Sequence, residues 1–249
     1  MKNLEISRFP ELDYLCNEAL NTLCTNLFYC GSQNKTILIT SRYAMEGKSL
    51  VAMNLMRTLS SLQKRVVLLD TDLRRSDIVG RFRLKFPDGY SIGLAQYLAG
   101  MCDISDILYS TNLPNAHIIP IGREVAISLQ LLNSPRMPAL MQHLRENFDI
   151  VLVDTSPVGM IVDALDVAKH CDGAILVVSY KRGKRREIAE VTQMINRTGC
   201  KMLGSVLNNV NLRSLTSRKY YYSSERYTAK YYNQYRVDVP RKGIFGRKK

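Results

Sequence analysis

The feature that most constrains the fold is a series of short, unbroken apolar runs spaced by stretches of helical periodicity. Residues 35–40 (KTILIT), 66–70 (VVLLD), 117–121 (HIIPI), 149–154 (DIVLVD), 173–178 (GAILVV) and 202–208 (MLGSVLN) each have the length of a strand and little polar alternation. Such a strand has to be covered on both faces. Between the runs, apolar residues recur at steps of three and four: Val51, Leu55, Leu59 and Leu62, then Met137, Leu140, Met141 and Leu144, then Ile188, Val191 and Ile195. Strands alternating with helices imply an α/β fold, a central and mostly parallel sheet flanked by helices. A further amphipathic helix is expected over 11–28, with Leu12, Cys16, Leu20, Leu23 and Leu27 on one face.

This periodicity stops after about Leu212. The reading is therefore one domain over 1–212 and a tail over 213–249, rich in Tyr, Ser, Asn, Lys and Arg, that buries too little apolar surface to fold and is expected to be disordered. Charge divides at the same place. The tail holds eleven Lys/Arg against two acids, a net of +9, whereas the rest holds 24 against 20, a net of +4. That balance argues against a nucleic-acid-binding core and for a tail that meets something anionic. Seven of the fourteen tyrosines, Tyr220, Tyr221, Tyr222, Tyr227, Tyr231, Tyr232 and Tyr235, crowd into sixteen of its residues. Aromatic rings among basic residues also suit a nucleic-acid grip. The phosphate loop upstream, at Gly47-Lys48-Ser49, makes it more economical to read the tyrosines as substrates, and no nucleic acid is expected as a partner. No apolar run approaches a membrane span and no signal peptide is evident, so the chain is expected in the cytoplasm. The six cysteines and three histidines are scattered, without metal-ligand spacing, and the cysteines read as reduced thiols, mostly in the core.

The first apolar run leads through SRYAMEGKS into a helix. At a strand–helix junction, Gly47-Lys48-Ser49 has the chemistry of a phosphate loop. Backbone amides and the helix N-terminus face phosphates, Lys48 reaches the β and γ oxygens, and the Ser49 hydroxyl ligates Mg²⁺. Two more strands end in acids: VVLLDTD supplies Asp70 and Asp72, followed by Arg74 and Arg75, and DIVLVDTSP supplies Asp154. Ligands of open parallel sheets bind beyond the carboxyl ends of the strands, so these motifs converge on one edge. Carboxylates there hold a metal and position a nucleophile.

With these motifs the chain resembles the bacterial tyrosine kinases linked to capsule and exopolysaccharide assembly, a branch of the MinD/ParA-like P-loop ATPases. EALNTLCTNLFY is similar to the family's N-terminal helix, TSRYAMEGKS to its Walker A motif, VLLDTDLRRS to its Walker A′ motif and GLAQYLAG to the helix after it. FDIVLVDTSPVGMIVDA resembles its Walker B segment with the downstream Asp163-Ala164, and GSVLNNV the strand whose Asn208 lies against the adenine. The resemblance implies ATP and Mg²⁺ as cofactors, with Met45, Glu46, Gly47, Lys48, Ser49, Leu50 and Asn208 around the nucleotide. Ser49, Asp72 and Asp154 would serve the metal. Asp70 would orient or deprotonate the incoming phenol, whose ordinary pKa of about 10 leaves it neutral at pH 7. The tail tyrosines would be the autophosphorylation sites. A membrane-anchored polysaccharide co-polymerase acting as activator, a cognate tyrosine phosphatase and a homo-oligomer are the implied partners, at the inner face of the membrane.

Three positions depart from the family's pattern. Ala44-Met45 replace Pro-Gly, so Met45 implies strain or a reshaped loop. Glu18 is followed by Asn21 and Cys24 where the family carries two arginines for subunit contacts. REVAISLQLL (123–132) replaces a Pro/Asn-rich stretch. The rival readings are a MinD/ParA-like switch ATPase and a degenerate nucleotide-binding adaptor. Neither needs a tyrosine cluster, and the first usually carries a second lysine where Tyr43 stands.

Overall fold

The computed structural model describes residues 2–89, 92–180 and 182–210. Along the chain run β1 (Lys2–Ile6), α1 (Tyr14–Tyr29), β2 (Thr36–Ser41), α2 (Lys48–Ser61), β3 (Val66–Asp70), α3 (Ile78–Phe82) and β4 (Leu84–Lys85). Then come α4 (Leu94–Leu98), α5 (Ile104–Ile107), β5 (Tyr109–Thr111), β6 (Ala116–Ile119), α6 (Ser128–Leu132) and α7 (Arg136–Asn147). The last elements are β7 (Ile150–Asp154), α8 (Asp163–Ala168), β8 (Gly173–Ser179), α9 (Arg185–Asn196) and β9 (Lys201–Asn208). Every apolar run expected as a strand forms one.

The nine strands make one sheet in the order β4-β1-β5-β6-β3-β7-β2-β8-β9. From β6 to β9 every neighbouring pair is parallel. β5 runs antiparallel to β6 and parallel to β1, and β4 closes that side antiparallel to β1. β2, β3, β7 and β8 are buried at every residue, as strands covered on both faces must be. Leu38, Val67, Leu69, Val151, Val153 and Leu176 face α4, α7, α8 and α9. Ile37, Ile39, Leu68, Leu152, Ile175 and Val177 face α1, α2 and α3. Each such side chain contributes about 1.5–3 kcal/mol on burial, so the two layers together fix the central strands firmly enough to hold a site at their ends.

Two expectations are corrected, and several elements are new. α1 starts at Tyr14, behind an Asp13 cap whose side chain accepts the Cys16 amide at 2.8 Å. Its buried residues are Cys24 and Leu27, with Leu20 and Leu23 half-buried, while Cys16 is exposed and Leu12 precedes the helix, because only the C-terminal half of α1 meets the core. All six cysteines are free thiols, but only Cys24, Cys171 and Cys200 are buried. The stretch 123–132 contains a short helix, α6. β1, β4 and β5 were not anticipated. β1 buries Leu4 and Ile6 and exposes Asn3 and Glu5, a two-residue alternation too short to stand out without its partners. The tail with its seven tyrosines lies outside the described residues. No helix among the described residues is long and apolar enough to cross a membrane.

Candidate active site

Strand register builds the site. Asp70 of β3 sits directly opposite Asp154 of β7, which is paired in turn with Ile39 of β2. The segments leaving these three parallel strands therefore open at one edge. The loop after β2 carries two left-handed residues before α2 begins: Met45 at φ 64° and Gly47 at φ 93°. Gly47 is required for φ, and a Cβ there would also displace the Asn208 amide, lying 2.0 Å from its Nδ2. Met45 takes the strained conformation anticipated from its departure from Pro-Gly, at a cost on the order of 1–2 kcal/mol, and the residue is 74% exposed.

Glu46 explains how the loop keeps its shape. Its carboxylate is buried and turned inward, accepting the Tyr43 amide on Oε2 (2.9 Å) and the Ser179 amide on Oε1 (3.1 Å). Its carbonyl accepts Asn208 Nδ2 at 2.8 Å. One residue thus braces the loop against β8 and β9, and the Asn208 side chain is engaged by the loop itself. On the other side, Tyr43 Oη donates to Glu187 Oε1 (3.0 Å) and Arg42 pairs with Glu190 (3.3 Å), tying the loop to α9. Leu50 is half-buried and packs on the core, which leaves its backbone as the part available to a ligand. The first amides of α2 have no intrahelical acceptor, so the helix presents donors where the loop ends.

Lys48 Nζ lies 3.2 Å from Asp72 Oδ2, 3.4 Å from Ser49 Oγ and 4.0 Å from Asp154 Oδ2. Burial alone would lower this ammonium's pKa, but Asp154, Asp72 and Asp70 outweigh it and hold the value above the ordinary one. One lysine does not balance three carboxylates. Burial pushes Asp72 up against the pull of Lys48, and pushes Asp154 up against the pull of Lys48 and Ser49. Asp70 is pushed up to about 7, by burial first and by the Asp154 charge second. Its oxygens accept the Ser76 hydroxyl and the Asp72 amide, the latter at 3.2 Å.

The site fits a magnesium–nucleotide complex. Asp154 Oδ1, Thr155 Oγ1 and Ser156 Oγ, on three consecutive residues at the end of β7, are buried without a hydrogen-bond partner among the described residues. No group of three or more His, Cys, Asp or Glu among the described residues makes a metal cage by itself. A site of this kind suits Mg²⁺, which is usually held by one or two carboxylates together with phosphate oxygens. Of the residues singled out from sequence, Glu46, Gly47, Lys48, Ser49, Asp70, Asp72, Asp154 and Asn208 come together, while Met45 stands at the loop apex. Ser76, Tyr43 with Glu187, and Ser128 on Asp163 were not anticipated. Their partners lie across the fold, and a serine or glutamate in a polar loop carries no distinguishing signal.

Fold and site define a P-loop nucleotide-binding protein. A family described as AAA domain matches residues 34–199. Tyrosine-protein kinase CpsD of Streptococcus agalactiae is 34% identical over 194 residues, covering 78% of this chain and 82% of that protein. The kinase domain of Escherichia coli tyrosine kinase ETK superposes with a TM-score of 0.74 at 25% identity, over 83% of this chain and 84% of that one. The septum site-determining protein MinD of Pyrococcus horikoshii, complexed with Mg-ADP, does so with 0.61 at 26%, over 73% and 72%. The chain belongs to the AAA-domain family and, within it, to the bacterial tyrosine-protein kinases.

Proposed function

We propose that this kinase transfers the γ-phosphoryl group of ATP to its own clustered tail tyrosines, Tyr220, Tyr221, Tyr222, Tyr227, Tyr231, Tyr232 and Tyr235. The observation that carries this reading is the convergence of Asp70, Asp72 and Asp154 on Lys48 at the mouth of a braced phosphate loop. Bound MgATP supplies the phosphoryl group and an electrophilic, charge-neutralised phosphorus. Lys48, freed from Asp72, takes the phosphate charge, and the α2 amides hold the phosphate oxygens. Ser49, Asp72 and Asp154 present the oxygens suited to Mg²⁺. Asp70, with an affinity for protons near neutrality, accepts the phenolic proton as the tyrosine oxygen attacks. Glu46 and Asn208 act on the nucleotide through the loop they brace.

The family resemblance supports a role in capsular or exopolysaccharide polymerisation or export. It also supports work beside a membrane-anchored co-polymerase at the cytoplasmic face, a cognate phosphatase and assembly into homo-oligomers. The strained Met45 loop accords with low intrinsic activity that such a partner stimulates. The test is incubation of the purified protein with MgATP, read by intact mass and phosphotyrosine detection. Wild type gains multiple phosphates on the tail, and Lys48→Met and Asp154→Ala gain none while staying folded. Full phosphotyrosine signal in either variant sinks the active-site assignment. A switch ATPase would hydrolyse ATP and leave the tail unmodified.

A further inference from the structure

Beside the catalytic carboxylates, one arginine is anchored at one end only. Asp163, in the first turn of α8 and 4% exposed, accepts Arg74 Nε at 2.9 Å and the hydroxyl of buried Ser128 at 2.5 Å on the same oxygen. These three residues come from the segments that follow β3, β6 and β7, so the anchor is tied to the site's own edge. The segment after β6 lies along the Arg74 loop through the Val125 amide, which donates to the Leu73 carbonyl at 3.0 Å. Between them is an open recess of about 290 Å³ lined by Arg74, Glu124, Val125 and Ala126. Asp163 engages Nε, the Arg74 side chain is 42% exposed, and the Nη end of the fork is left for the recess. A guanidinium held this way is pre-organised for a phosphate, which it meets with two parallel N–H bonds.

The tail gives this cation a task. Tyr220, Tyr221 and Tyr222 are consecutive, and so are Tyr231 and Tyr232. Once one of them is modified, its neighbour is an acceptor that brings a phosphate of about −1.5 to −2 charges with it. The catalytic edge gathers Asp70, Asp72 and Asp154 around Lys48, so a second cation beside it favours the approach of such an anionic substrate. We propose that the Arg74 recess is a phosphotyrosine subsite, which makes a tyrosine beside an already modified tyrosine the preferred acceptor. The proposal rests on the tail tyrosines being acceptors, as argued above. The chemical step is unchanged. The acceptor oxygen gains the phosphoryl group, ADP leaves, the phenolic proton is released, and the priming phosphate is only bound. Glu124, the acidic residue of the lining, opposes the anion and sets the strength of the preference.

The experiment uses the full chain with its seven tail tyrosines replaced by Phe. It is supplied with MgATP and peptides of residues 218–224, either unmodified or carrying phosphotyrosine at 221. The readout is the ratio of kcat/KM for the primed over the unprimed peptide. The wild-type site gives a ratio of about ten or more, the size of one charge-assisted contact. Arg74→Met brings the ratio near one, Arg74→Lys leaves it in between, and Glu124→Gln, at an exposed position, raises it. A wild-type ratio near one, or a ratio that survives Arg74→Met and ignores Glu124→Gln, overturns the subsite while leaving tyrosine transfer intact. No transfer to either peptide by the wild-type site overturns the acceptor reading, and the subsite with it.

Discussion

Replacing Asp70 by Asn separates what this carboxylate does for catalysis from what it does to the fold. Burial, reinforced by the charge of Asp154, moves its pKa from 3.8 to about 7. Between those values the folded protein retains a proton that the unfolded chain has released. Stability therefore falls as pH rises from about 4 to about 7 and is level above that. At about 1.4 kcal/mol per tenfold change in proton affinity, the full span is about 4 kcal/mol. An Asn side chain has the same shape and no charge, but it accepts less well from Ser76 and the Asp72 amide, which offsets about 1–2 kcal/mol. The net expectation for Asp70→Asn at pH 8 is a gain of about 2–3 kcal/mol. At roughly 2–4 °C per kcal/mol for a chain of this size, Tm rises by roughly 5–10 °C. At pH 5 the two effects nearly cancel. The assay is thermal unfolding from pH 5 to 8.5 in magnesium- and nucleotide-free buffer, alongside phosphotyrosine formation, which the substitution abolishes. A Tm difference that does not grow with pH, or a variant less stable than wild type at pH 8, refutes the account of Asp70.

Three further substitutions or modifications test the loop and the tail. Gly47→Ala puts a methyl group 2.0 Å from Asn208 Nδ2 at a φ of 93°, so nucleotide binding measured by titration calorimetry is lost and Tm falls. Met45→Gly relaxes φ 64° and raises stability by up to about 1 kcal/mol without loss of phosphorylation; a fall in Tm would mean that the loop is not strained. Phosphorylation takes the +9 tail to roughly +1 to +3 with four phosphates and to roughly −2 to −5 with seven. Unmodified protein should bind anionic liposomes in a salt-dependent way and the multiply phosphorylated form should not, whereas single Tyr→Phe changes should matter little. Equal binding of both forms would falsify the charge switch.

The central fold was legible because its signals are local. The runs around Leu38, Leu68, Leu152 and Leu176 are apolar on consecutive residues, and only a strand buried on both faces uses such a run. Gly47-Lys48-Ser49, Asp70 with Asp72, and Asp154 each sit where a strand ends, so their convergence on one edge followed from the parallel sheet. The far side of the sheet was not legible. β1 presents only Leu4 and Ile6 to the core, β4 has two residues and β5 three, and each exists because a partner from elsewhere in the chain completes its hydrogen bonds.

The sequence by itself determined the architecture, the phosphate chemistry and the division between a near-neutral body and a basic, tyrosine-rich tail. Each of these depends on residue type and on spacing within a few positions. The tertiary structure alone decided how charge balances at the site. Lys48 meets Asp72 across 24 residues, Asn208 meets the Glu46 carbonyl across 162, and Asp163 meets Arg74 across 89. Such pairings have no local signature, and the burial that lifts Asp70 toward neutrality belongs to the packed sheet rather than to the residue. A carboxylate's sequence position says that it can bind a metal or a proton. Only the low-dielectric surroundings and the facing charges say at which pH it does so.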